Sequence, residues 1–144
     1  MSASVEEVFD FFAEARNLEL ITPSFLRFRI LTPNPTVRAG ALLDYSLKLH
    51  GWPVRWRTRI EDFDPPSRFT DLQLSGPYRY WHHLHEFHQC DEGTQILDIV
   101  HYELPIRKNS LFLRVAESLV KRDLRTIFDY REIKVEDIFT KRDL

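Results

Sequence analysis

An α+β fold, in which an antiparallel meander of about six strands is followed by one long C-terminal helix, is what this 144-residue chain predicts. Three observations carry that prediction. Apolar residues recur with a period of two for roughly eighty residues, from about Leu26 to Leu104. Turn-forming groups interrupt the run at short, even intervals. Beyond Pro105 the spacing changes to that of an amphipathic helix.

Helix signals come first in the chain. Ser4 and Glu7 form a capping-box pair, and the acidic Glu6 and Glu7 suit the positive end of a helix dipole, so residues 4–16 are expected to be helical. Val5, Val8, Phe9, Phe12 and Ala15 give that helix its inward stripe. A further short turn is expected over Leu18 to Thr22, stopped by Pro23.

Strands follow. Leu26 to Leu31 is predicted as the first, closed by Pro33 and Pro35. In Ala41 to His50, residues Leu43, Tyr45, Leu47 and Leu49 share one face, opposite Asp44, Ser46, Lys48 and His50. Gly51-Trp52-Pro53 reads as a turn. Val54 to Phe63 then carries Val54, Trp56, Thr58 and Ile60 inward against an outward row of Arg55, Arg57 and Arg59. Asp64-Pro65-Pro66-Ser67 is the next turn, Arg68 to Ser75 the next strand, and Gly76-Pro77 a bulge or tight bend.

Gly76 to Cys90 holds the centre of the pattern. Trp81, His83, His85 and Phe87 share one face; Tyr80, His82, Leu84, Glu86 and His88 share the other. Two aromatics bracketing two imidazoles suit the wall of an internal cavity better than a dry core or open water. Asp91-Glu92-Gly93 turns the chain into a last strand, Thr94 to Leu104. Asn109 or Ser110 is expected to cap the final helix, which should run to about Ile133. Phe112, Val115, Ala116, Leu119, Val120, Leu124, Ile127 and Phe128 mark its buried side, while Arg114, Lys121, Arg122, Arg125 and Arg131 mark its wet side. Residues 135–144 either extend the helix or fray.

Bulk properties narrow the function classes. The length fits one domain, expected to span residues 1–144, with a core of its own. A net charge of -2 lacks the basic excess of a nucleic-acid binder. A single cysteine, Cys90, excludes an internal disulfide and fits a reducing compartment. No apolar run approaches the ~20 residues of a membrane span, and the start lacks a secretory signal pattern, so a cytoplasmic location is expected. Nucleophile-elbow, P-loop, GxGxxG and HExxH motifs are absent, and no cofactor is expected.

Several short motifs, taken together, resemble a known group. They are Phe69-x-Asp71-x-Gln73, Gly76-Pro77, Trp81-x-His83-x-His85-x-Phe87, Gly93-Thr94, Asp98-x-Val100-x-Tyr102-x-Leu104-Pro105 and Phe128-x-Tyr130-Arg131. With the element order, they resemble the START-like (SRPBCC), helix-grip superfamily, in its bacterial ligand-binding, cyclase/dehydrase-like branch. The resemblance implies a curved sheet gripping the last helix, with a cavity between them. It also implies a strand before the first helix, where this chain has only Met1-Ser2-Ala3. Two sheet edges are then expected to stay open, or to be covered by the C-terminal tail or by a partner chain, for instance in a homodimer.

The expected ligand is a hydrophobic or aromatic small molecule of lipid, polyketide or isoprenoid type. Tyr45, Trp56, Trp81, Phe87 and Tyr102 are the predicted apolar walls, with His83, His85, Asp98, Asp71 and Gln73 as polar anchors. Strand parity brings Asp98 and Tyr102 to the His83/His85 face. The family pattern turns Asp71 and Gln73 inward, whereas hydrophobicity alone argues for Leu72 and Leu74. Three other uses of these residues compete. The buried polar groups are read equally well as a structural network that satisfies itself. A metal set of His83, His85 and Asp98 has suitable ligand types, but HxH is common by chance and no metal is assigned. Catalytically, His83 or His85 oriented by Asp98 would shuttle a proton in a cofactor-independent cyclisation or dehydration. The remaining rival is an interaction module that pairs through an open sheet edge.

Overall fold

The computed structural model describes residues 2–106 and 111–141. Helix α1, Val5–Ala13, starts where the capping box forms: Ser4 Oγ accepts the Glu7 N–H at 3.3 Å, and the Glu7 carboxylate accepts the Ser4 N–H at 3.0 Å. It ends earlier than the expected Arg16, because Glu14 is extended and the chain re-coils as a 3-10 turn over Ala15–Glu19. Val8, Phe9, Phe11 and Phe12 are its buried residues.

Six antiparallel strands follow in simple order: β1 (Arg29–Ile30), β2 (Leu42–Leu49), β3 (Trp52–Asp64), β4 (Arg68–Ser75), β5 (Tyr80–Cys90) and β6 (Gly93–Glu103). The first is far shorter than Leu26 to Leu31. Ser24–Leu26 forms a 3-10 turn and Arg27 is left-handed (φ 45°), which breaks the extended run. The Gly51-Trp52-Pro53 turn also needs correcting. His50 and Gly51 both have positive φ, as a two-residue hairpin requires, so Trp52 and Pro53 already pair within β3. Gly76-Pro77 is the expected bend, opening the connection from β4 to β5, while the register shifts lie between β3 and β4, at Arg57/Thr58 and Ile60/Phe63. Such shifts bend the strand they interrupt. The β4–β5 connection is pinned by Gln73, whose amide donates to Tyr78 O (2.7 Å) and accepts from Tyr78 N–H (3.3 Å). A side chain at Gly76 would collide with it, its Cβ falling 2.5 Å from Gln73 Oε1.

No strand precedes α1 among the described residues, and β1 and β6 are the two sheet edges. The chain's start is tied to the sheet at its far side instead: Thr94 Oγ1 donates to Ala3 O (2.8 Å), and Val5 N–H donates to Gln89 Oε1 (3.1 Å).

Helix α2, Leu111–Thr140, outlasts the expected end at Ile133 and runs about 45 Å. The predicted caps Asn109 and Ser110 lie outside the described residues. Its burial is displaced toward the C-terminus. Phe112 and Val115, expected on the buried side, are 71% and 55% exposed, whereas Val135 and Phe139 are 2% and 4% exposed. The reason is where the two cores lie. One core gathers Phe9, Phe12, Phe69 and Phe87 with Val135 and Phe139; the other gathers Leu47, Trp56 and Trp81 with Leu124 and Ile127. Neither cluster includes any described α2 residue before Leu124. A hydrogen bond between His50 Nε2 and Asp123 Oδ2 (2.7 Å) ties the helix to the β2–β3 hairpin.

Phe9 is the hub of the first core, with ring centroids 5.3–5.9 Å from Phe63, Phe69 and Phe87. Phe9→Ala should therefore cost about 3–5 kcal/mol, measured as the loss of unfolding free energy in urea. A loss below about 1 kcal/mol would show that the site repacks freely.

Candidate functional site

Parity sets the site. Paired residues of neighbouring strands point to the same side, and the ladders pair Asp71 with His83, His85 with Asp98, and Trp81 with Tyr102. The turn toward the helix is therefore shared by Asp71, His83, His85 and Asp98. His83 and His85 are each 5% exposed.

These four side chains form one closed cluster. His83 Nε2 lies 2.9 Å from Asp98 Oδ1, and its Nδ1 lies 3.3 Å from Asp71 Oδ2. His85 Nε2 lies 3.2 Å from Asp71 Oδ2. Its Nδ1 comes within 2.8 Å of Asp98 Oδ1 but makes no aligned hydrogen bond there. The two rings are 3.8 Å apart. Burial alone pushes the Asp71 and Asp98 carboxyls up, yet hydrogen bonds from His83 and His85, and their charge, outweigh it and hold both well below the usual carboxylate range. Burial likewise pulls His83 down, but bonds to Asp71 and Asp98 reverse the sign and raise it above 6.5. His83 is thus held between two carboxylates, an arrangement that favours its protonated form.

The cluster forms part of the wall of a cavity of about 180 Å³ between the sheet and α2. Of the predicted ligand-binding residues, Tyr45, Trp56, Asp71, Trp81, His83 and His85 line it. Asp98 lies behind the imidazoles and lines a neighbouring groove between β6 and α2. Gln73, Phe87 and Tyr102 are not in the lining. Gln73 commits its amide to the Tyr78 backbone, Phe87 is packed among Phe9, Phe12 and Phe69, and Tyr102 sits against Tyr78 and Trp81.

Asp71, His83 and His85 present three metal-ligating atoms within 4.8 Å of one another, so the carboxylate of that group is Asp71 and not the expected Asp98. A cation there would have to displace the imidazole–carboxylate contacts already made.

One lining residue falls on the opposite side of its helix from expectation. Arg131, expected to be wet, lines the cavity, and its Nε and Nη1 are buried without a hydrogen-bond partner. The sequence carries a signal for this: Arg131 is four residues after Ile127 and four before Val135, on the buried stripe.

A curved antiparallel sheet closed over a long C-terminal helix, with a cavity between, is the helix-grip fold. The chain belongs to the family described as polyketide cyclase / dehydrase and lipid transport, which it matches over residues 1–129. Solved structures agree on the fold. Protein Ms6760 from Mycobacterium smegmatis is 15% identical with a TM-score of 0.71, over 99% of this chain and 87% of that one. TTHA0849 from Thermus thermophilus is 20% identical with a TM-score of 0.67, over 96% and 93%. Ara h 8.0201 is 14% identical with a TM-score of 0.63, over 94% and 92%. No curated protein sequence matches. Among the described residues, no helix is long and apolar enough to cross a membrane.

The raised pKa of His83 gives a signed pH dependence. A histidine whose pKa is raised by folding stabilises most below its unfolded value near 6.5 and loses that contribution as pH rises through the folded value. Urea midpoints of the wild type should therefore fall between about pH 6 and about pH 9 more steeply than those of His83→Gln. Parallel midpoints in the two proteins would show that His83 is not charged in the folded state.

Proposed function

We propose that this protein binds a hydrophobic or aromatic small molecule, of lipid, polyketide or isoprenoid type, in the cavity between the sheet and α2. The carrying observation is the cavity itself, an apolar space under Trp56, Trp81, Leu124 and Ile127 that the side chains leave unfilled. Unfilled volume in a core costs stability in proportion to its size, and a natural chain that retains it has a use for the space. A cavity of about 150 Å³ lined by apolar side chains accommodates a benzene ring, so about 180 Å³ favours a compact ring-bearing molecule or segment over a long extended chain. The family's description, which includes lipid transport, supports the same reading.

A second reading is favoured by the cluster. His83 lies 3.3 Å from Asp71 at the cavity wall with its protonated form favoured, an arrangement a cofactor-independent cyclase or dehydratase would use as general acid and then base. Turnover of a poly-β-keto substrate that vanishes in His83→Ala and His85→Ala, with folding intact, would favour it. Equal turnover in both variants removes these histidines from any such chemistry.

For the binding reading, native mass spectrometry of freshly purified protein should show a retained small molecule or uptake of naphthalene-sized probes. Ile127→Trp, which fills the cavity from the helix side, should reduce that uptake by about tenfold or more. Undiminished uptake would mean that the probe sits elsewhere.

A further inference from the structure

We propose that the cavity's ligand carries a carboxylate or comparable oxyanion, and that Arg131 is the residue that binds it. This rests on the cavity being a ligand site. The argument is an account of hydrogen-bonding capacity. On the sheet side, the carboxylates of Asp71 and Asp98 are occupied by His83 and His85. What remains without partners in the lining is His85 Nδ1, which faces Asp98, and two side chains that only donate. Trp56 is 7% exposed, its Nε1 is buried without a hydrogen-bond partner, and an indole nitrogen can only donate. Arg131 Nε and Nη1 are in the same condition, and a guanidinium likewise only donates.

A buried charged donor without a partner is costly. Here the guanidinium is nevertheless held in place, its carbon 5.0 Å from the Phe128 ring centroid. That ring in turn meets His83 edge-on at 5.5 Å. The nearby acidic residues do not relieve it: Asp98, Asp129, Glu132 and Glu136 share with Arg131 the groove on its other side, and none supplies Nε or Nη1 with a hydrogen bond. A cavity wall that offers an unpartnered indole N–H and a guanidinium is complementary to an apolar body bearing an acidic oxygen. An ammonium group, which only donates, would leave these donors unpaired.

The test compares 2-naphthylacetate with its neutral isostere 2-naphthylacetamide by titration calorimetry at neutral pH. The wild type should bind the acid about tenfold tighter. Arg131→Gln should abolish that preference by weakening the acid far more than the amide, with an unchanged circular-dichroism spectrum as the check on folding. Arg131→Lys, which keeps the charge, should retain part of the preference and decides the matter if the Gln variant does not fold. Equal binding of acid and amide by the wild type overturns the proposal, as does a preference that survives Arg131→Gln, while leaving the cavity reading in place. Failure of both probes to bind the wild type overturns the two together.

Discussion

The Asp71–His83–Asp98–His85 cluster is the constraint on which the rest of the molecule depends. Charged groups leave water only when partners replace it, and here the partners come from three consecutive strands. Asp71 is on β4, the two histidines on β5, and Asp98 on β6. A slip of one residue in either ladder would send one member to the outer face and strand the others in the core. The cluster therefore does for the sheet what hydrophobic alternation does only loosely: it allows one register. Removing a single member is worse than removing all four, because it leaves a buried charge uncompensated.

With the register fixed, the helix can be held at separated places without being pressed onto the sheet between them. Phe128 meets His83 edge-on, Leu124 and Ile127 close on the tryptophan cluster, and Phe139 packs on Phe11. Aromatic side chains suit this task, since few residues provide long reach and defined edge-to-face geometry. The phenylalanine core at one end and the tryptophan core at the other act as spacers. The hollow between them follows from how the ends are packed.

The alternation of Trp81, His83, His85 and Phe87 is legible in the sequence because a period of two leaves little choice of face. The facing of β4 is not. Leu72 and Leu74 are the hydrophobic pair, yet Asp71 points inward and Leu74 is 45% exposed. What settles it is pairing with His83 and His85, a long-range fact that no local window contains. Arg131 misleads for the opposite reason: its position on the buried stripe is visible, but its charge argues against its spacing. The first strand fails at Arg27, whose left-handed backbone no periodicity announces. The apolar start of α2 reads as core only because a helical stripe does not say how far its partner surface extends.

These differences bear on what the site recognises. Relatives at 15% and 20% identity keep the fold, so the fold does not choose the ligand. The choice falls to the few polar atoms that the packing leaves without partners. In the sheet the cluster partners its carboxylates and offers the cavity an imidazole-and-carboxylate wall. Trp56 on β3 and Arg131 on α2 each have N–H groups without a partner. The cavity wall thus combines a fixed register in the sheet with unpartnered donors on both of its sides. The unpartnered Nε and Nη1 of Arg131 beside an apolar cavity are the physical ground for the acidic guest proposed above.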